Sequence, residues 1–457
     1  MILAPACLLL AAPVLPQEPE EAPALHGPAT AWRVDLIETL DGEPVRNGTV
    51  LVRDGIIEKI GPAVILPEDA RIVDLRGTGA SIVPPWVVAH AGFLPADSRG
   101  RGRFGKYLAV DGLYLGEDDL QDLLKEGVLL LGVDPRGSGI PGRTSVLRTD
   151  AEPPRPEPLV QDLHLRMTLS AQSSQKELLR KALTDADAAI EKEEKARKEW
   201  EKARKEWEEK QKAEQKKAEE QKKQEQKNGA GPASAQEPPK SGNGQGQQKP
   251  EEKEPPKEFQ PPPIDPNLKP VVEWLRRERM VQVTLDSAAA WLHWLDLLGE
   301  RELPWELVLA PGRGATANLE RVAGDIGGRG LRVYLPARLY VLPDTRIRCN
   351  LARELEAAGA RLVLEPPSNS LQGVQDWRVG VADLVREGLE RSTALRAMSL
   401  EPAAALGQEE LVHPLKPGSS ATFLVLEGDP LDPLARVARV VVDGRTVYER
   451  DEENPDG

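Results

Sequence analysis

From Trp32 onward, short apolar runs alternate with turn residues at close intervals. Val34-Asp35-Leu36-Ile37 leads into Asp41-Gly42, then into 48–61, where Val50-Leu51-Val52 and Ile56-Ile57 flank Asp54-Gly55. Both central positions of a two-residue hairpin turn take a positive φ, which Asp and Gly tolerate, so these dipeptides predict β-hairpins. Residues 71–75 add a further short strand. The C-terminal end repeats the pattern at 422–426 and 437–448, the latter with Asp443-Gly444. Each half presents strands with one apolar face and too few of them to bury it alone. The pattern therefore predicts one β-domain built from both ends of the chain.

Between the ends the period changes. A helical stretch at 118–126 runs into an apolar strand at 128–133, and another at 351–358 stops at Gly359 before a strand at 361–364. Helix, glycine stop and buried strand predict a parallel α/β layer. A segment of another kind interrupts it at 172–266. Glu-Lys-Ala-Arg-Lys-Glu-Trp occurs twice in tandem over 194–207, with Ala196, Trp200, Ala203 and Trp207 at the a/d spacing of a coiled coil. Lys210 and Lys217 take the next two a-type positions, so the segment reads as a solvated helix held by Glu–Lys pairs, with protein binding as its functional alternative. From 228 to 266 the chain is Gly/Gln/Pro-rich and reads as a disordered linker.

Charge narrows the partners. The chain holds 60 Lys and Arg against 74 Asp and Glu, which argues against nucleic acid. Its two cysteines, Cys7 and Cys349, make no disulfide framework. The apolar run at 2–15 is shorter than the ~20 residues of a membrane span and suits a secretory signal over 1–17, although a basic start is missing. The expectation is export to a periplasmic or extracellular space, with a cytoplasmic protein if the signal is spurious. No later run reaches transmembrane length.

Candidate chemistry is sparse. Residues 82–93 end in Trp86-Val87-Val88-Ala89-His90-Ala91-Gly92-Phe93. On a strand, residues i and i+2 share a face, and His90 has no histidine at 88 or 92 beside it. The other histidines are His26, His164, His293 and His413. A catalytic zinc needs about three protein ligands and an open position, and His90, His164 and Asp162 are the set that could supply them. The Gly-rich stretch 132–139 lacks the spacing and lysine of a phosphate loop, and no Gly-x-Ser-x-Gly elbow is present. Pro311-Gly312-Arg313-Gly314 reads as a turn.

The two ends together resemble the amidohydrolase superfamily, particularly its imidazolonepropionase-like and prolidase-like members. The match runs through Asn47-Gly48-Thr49-Val50 to Ile57, Val73-Asp74-Leu75-Arg76-Gly77 and Val83-Pro84, then through 394–397, 401–407, 415–430 and Val441-Val442-Asp443-Gly444-Arg445. It implies an α/β fold: a distorted, compact (β/α)8 TIM-like barrel over 87–404, and a composite β-sandwich over 30–86 and 405–450. The charged helix and linker at 172–266 interrupt the barrel, leaving 207 residues between Leu94 and Leu395 against the usual ~250. By resemblance, the activity is metal-assisted hydrolysis of a C–N bond in a cyclic amide or peptide-like substrate. Carried over residue by residue, the site is mostly absent. Val88 replaces the family's aspartate, Gly92 the second histidine, Leu285 a ligand histidine and Pro367 the catalytic aspartate. The turn at 138–143 resembles one near the barrel mouth. The expectation is a non-catalytic homologue without a metal cofactor, binding a small molecule in the old barrel mouth, or pairing with itself or with an active relative. The alternative is an active hydrolase with a rearranged zinc or other divalent metal site that keeps His90.

Overall fold

The protein is described by a computed structural model covering residues 27–95, 97–116, 118–228, 258–312 and 315–450. The signal expected over 1–17, His26 and linker residues 229–257 lie outside the described residues. The chain divides into two compact units. One takes residues up to Pro84 with Glu410–Pro430 and the segment from Leu434, and the other takes Pro85–Glu409 with Leu431–Pro433.

The smaller unit joins the two ends of the chain strand by strand. Its order is Arg445–Glu449, Arg436–Val442, Phe423–Glu427, Ser81–Val83, Thr30–Ile37, Val45–Arg53 and Ile56–Gly61. The halves meet where Leu424 pairs antiparallel with Val83. The fold expectation was a sandwich of two sheets, whereas hydrogen bonding joins all eight strands into one. Arg71–Asp74 and Ser81–Val83 both pair with Thr30–Ile37, at 30–33 and at 36–37, and this keeps the sheet continuous. Trp32, Val34, Ile37, Ile82, Phe423 and Val425 form its core, with the Trp32 and Phe423 rings edge-on at 5.7 Å.

Two of the hairpin turns found by pattern lie against each other. Asp54 and Gly55 take φ of 50° and 80°, and Asp443 and Gly444 take 50° and 75°. The Gly55 carbonyl accepts from the Ala421 amide, and the Ala421 carbonyl accepts from Gly444. A Cβ on Gly444 would lie 2.8 Å from the Gly55 Cα, so both turns depend on missing side chains. Gly444→Ala is expected to cost about 1–3 kcal/mol, read by chemical denaturation, because it adds a close contact to a strained φ. A loss under about 0.5 kcal/mol would show that the turns can part.

The larger unit is built on seven parallel strands: β1 (Trp86–Val88), β2 (Val128–Val133), β3 (Leu165–Leu169), β4 (Val281–Leu285), β5 (Trp305–Leu309), β6 (Arg332–Pro336) and β7 (Arg361–Glu365). β1 pairs with β2, and β3 to β7 pair in chain order. Between the two groups the chain inserts antiparallel segments, Ser145–Arg148 against β2 and Gly142–Arg143 against β3. Of the expected (β/α)8 barrel, the described residues show an α/β unit whose seven parallel strands fall in two sheets, two in one and five in the other, with no closed ring of hydrogen bonds. After β7 the chain forms only helices, Leu371–Gln375, Trp377–Arg386, Arg391–Met398 and Leu400–Ala405, before it leaves this unit.

A 56-residue helix, Ser173–Asn228, interrupts the layer; at 1.5 Å per residue it is about 84 Å long. Leu179, Ala182, Leu183 and Ala186 are buried at helical spacing, which fixes its first turns to the unit. Farther along, Glu193 pairs with Arg276 at 2.9 Å, and Trp200 meets the Phe259 ring at 5.9 Å, so Trp200 packs against a residue of its own chain. Trp274, Trp291, Trp294 and Trp305 pack together beside β4 and β5, with Trp274 and Trp294 stacked at 5.8 Å. No described helix is long and apolar enough to cross a membrane.

Candidate functional site

Side chains alternate across a strand, so residues two apart on each parallel strand point the same way. Arg166 and Thr168 come from β3, Gln282 and Thr284 from β4, Glu306 and Val308 from β5, Arg332 and Tyr334 from β6, and Glu365 ends β7. These polar groups form one buried network. Arg166 Nη1 donates to Gln282 Oε1 at 2.8 Å, and Nη2 donates to Thr284 Oγ1 at 2.9 Å. The Gln282 amide nitrogen donates to Glu306 Oε2 at 3.0 Å and to the Tyr334 hydroxyl at 2.9 Å. Glu306 also accepts from Tyr334, and from Arg332 at 2.5 Å. Buried polar groups are costly unless paired, and Glu306 is paired three times over.

His90 stands just beyond the end of β1 and faces this network. Its Nε2 lies 3.0 Å from Arg166 Nη1 and 3.2 Å from Gln282 Oε1. In one tautomer Nε2 accepts from Arg166, and in the other it donates to Gln282; both engage the nitrogen. Nδ1 faces Glu365 Oε1 at 3.6 Å. Burial, and then the Arg166 charge, hold the imidazole well below its usual value, so it is neutral. Asp134 lies 3.6 Å from Arg166 Nε and accepts from the buried Thr144 hydroxyl at 2.6 Å; burial raises it. Glu365 is 7% exposed and neither of its oxygens has a hydrogen-bond partner. Burial first, then the Asp134 charge, push its carboxyl up to about 8, so it keeps its proton at neutral pH.

Above the network opens a cavity of about 440 Å³. His90, Asp134, Arg166 and Glu365 form part of its lining, Phe93, Leu309 and Leu335 are among its apolar walls, and Arg136 and Arg338 also line it.

The sequence-derived candidates separate here. His90, Gly92 and Pro367 do line one cavity. A Cβ on Gly92 would sit 2.8 Å from the Asn369 amide nitrogen, so a second histidine has no room there unless Asn369 moves. Leu285 is buried on the opposite face of β4, and Thr284 lines the cavity in its place. His90, His164 and Asp162 do not assemble. Asp162 is taken by Arg143 and by Arg279 at 2.6 Å. His164 is buried with Nδ1 unpartnered, and burial pulls it down to about 4. His293 lies in the helix Ala288–Leu298, and His413 Nδ1 contacts the Pro414 carbonyl in the smaller unit. The turn at 138–143 expected near the mouth is not part of the cavity lining; Arg136 and Gly137, just before it, are, while Arg143 turns to Asp162.

Among the described residues, no three His, Cys, Asp or Glu side chains converge as a metal site. The donor set also argues against one. A divalent ion on His90 Nε2 would meet the Arg166 guanidinium already there, an unfavourable like-charge contact in a buried setting. The residues present do not fit the metal that the resemblance implies.

Sequence reasoning missed Arg166, Gln282, Glu306, Tyr334, Glu365 and Arg338. A signal existed in the strands, where Leu165-Arg166-Met167-Thr168-Leu169 and Val281-Gln282-Val283-Thr284-Leu285 alternate apolar and polar. In a parallel strand covered by helices on one face, that alternation marks a polar interior.

No family model and no curated protein matches the sequence. Among solved structures, an amidohydrolase from Thermotoga maritima superposes with a TM-score of 0.61 at 18% identity, covering 92% of this chain and 100% of its own. A beta-aspartyl dipeptidase from Fervidobacterium islandicum covers 93% of this chain and 98% of its own at 10% identity, with a TM-score of 0.46. Guanine deaminase from E. coli covers 93% and 99% at 12% identity and 0.42. The last two superpose too loosely to carry an argument. The first shows that this chain has the amidohydrolase fold.

Proposed function

We propose that this chain is a non-catalytic protein on an amidohydrolase fold, and that its cavity holds a small ligand without hydrolysing it. The observation that carries the reading is the Arg166 guanidinium, 3.0 Å from His90 Nε2 and tied to Gln282 and Thr284. A fixed cation stands where a hydrolase of this fold would direct metal-ligand nitrogens, and Val88, Gly92 and Pro367 bring no replacement donor. Purified protein is expected to carry far less than one equivalent of zinc, iron or manganese by elemental analysis. It is also expected to release no amine from dipeptides or cyclic amides, with or without added zinc or manganese. A full equivalent of metal that is lost in His90→Ala would overturn this reading.

One observation favours a second reading, a hydrolase that works without metal. Glu365 faces the cavity with both oxygens unpartnered and titrates at about 8, within reach of general acid–base work at neutral pH. Its mark would be turnover that survives a chelator and falls by about 10²-fold or more in Glu365→Gln.

A further inference from the structure

We propose that the cavity of the larger unit takes a small organic anion, a monocarboxylate with an apolar body, with Arg338 and Arg136 as its recognition groups. The inference rests on reading this cavity as a binding site, and it names the ligand class.

Charge comes first. Three guanidinium groups line the cavity, Arg136, Arg166 and Arg338, against two carboxyl groups, Asp134 and Glu365. The lining is therefore cationic even with both carboxyls ionised, and more so when Glu365 carries its proton. Arg166 is committed to Asp134, Gln282 and Thr284. Arg136 and Arg338 have no carboxylate partner among the described residues. Arg338 is nevertheless held in place, because it donates to the Pro311 carbonyl at 2.9 Å and the Pro367 carbonyl at 3.3 Å while its buried Nε has no partner. A guanidinium anchored by neutral acceptors, with its charge uncompensated, is preorganised for an anion.

Shape and floor agree. About 440 Å³ falls within the ~300–1,000 Å³ of small-molecule sites. Phe93, Val308, Leu309, Leu335 and Pro336 offer apolar walls for a ring or short chain. At the floor the unpartnered Glu365 carboxyl is more than nine-tenths buried and open to a polar group of the ligand. A cationic ligand would face three guanidiniums, and a neutral one would leave two of them without a counter-charge.

The test is calorimetric titration of the full chain at pH 7 with three ligands of one shape: benzoate, benzamide and benzylamine. Benzoate is expected to bind at least about tenfold more tightly than benzamide, and benzylamine not at all. Arg338→Gln should weaken benzoate about tenfold and leave benzamide unchanged. Arg136 is exposed, so Arg136→Gln gives a second variant whose folding is not at stake, with the same direction of effect. The proposal is overturned if benzamide or benzylamine binds as well as benzoate, if benzoate shows no saturable binding, or if both variants bind benzoate like the wild type. Hydrolysis of benzamide to benzoate and ammonia would end the non-catalytic reading alone, since the preference for the anion would still be measurable.

Discussion

Glu306→Ala is expected to destabilise the larger unit by about 3–5 kcal/mol, the cost of removing one partner from a buried charge pair. Glu306 is 5% exposed and accepts from Arg332, Tyr334 and Gln282, three donors from two neighbouring strands. Its loss leaves Arg332 with the Glu401 carboxylate, at 3.7 Å, and leaves the buried Tyr334 O–H without its acceptor, although the hydroxyl still accepts from Gln282. Glu306→Gln keeps an acceptor and removes the charge, so its cost should be smaller. Denaturation followed by tryptophan fluorescence suits the measurement, because Trp305 adjoins Glu306 in β5 and packs in the tryptophan cluster. A loss under about 1 kcal/mol would mean that the network reorganises around the gap.

The second large effect is on pH. Glu365 titrates at about 8 in the folded protein and near 4.5 in the unfolded chain. Between those values the folded state holds a proton that the unfolded state has released. Stability therefore falls as pH rises through the window, by at most about 1.4 kcal/mol per pH unit. Asp134, also raised, acts in the same direction. His90 and His164 act oppositely: both lie below 6.5 when folded, His164 at about 4, so stability is lost as pH falls below 6.5 and the unfolded chain takes up protons. On the acid side the two histidines act against the two raised carboxyls, whereas between pH 6.5 and 8 Glu365 acts with no histidine opposing it. Glu365→Gln should flatten the slope between pH 6.5 and 8 and steepen the loss on the acid side between about 4.5 and 6.5, where Glu365 opposes the histidines. An unchanged slope between pH 6.5 and 8 in that variant would remove Glu365 as the cause.

Much of this was legible in the sequence, for physical reasons. Asp-Gly pairs at 41–42, 54–55 and 443–444 leave the backbone few alternatives, and all three join paired strands. Apolar runs such as Val128–Val133 are too continuous to lie anywhere but in a buried layer, and all six residues are buried. The strand count was not legible, because nothing local tells a chain that the run ending at Glu365 is the seventh strand. The register of β4 differs by one residue: the resemblance puts a ligand position at Leu285, and Thr284 is the residue that lines the cavity. The site itself was sought among histidines. What the interior contains instead is a guanidinium, an amide, a phenol and carboxyl groups, residue types that read individually as surface residues and make sense only once five strands bring them together.

Arg166 has one more consequence. A metal that ties strand ends together must be acquired from the surroundings, can be withheld by a host or a neighbour, and can be exchanged for the wrong ion. The charge that Arg166 brings to His90, Asp134, Gln282 and Thr284 is translated with the chain, one per molecule, and cannot dissociate. The cation at the centre of this network therefore comes with the polypeptide itself.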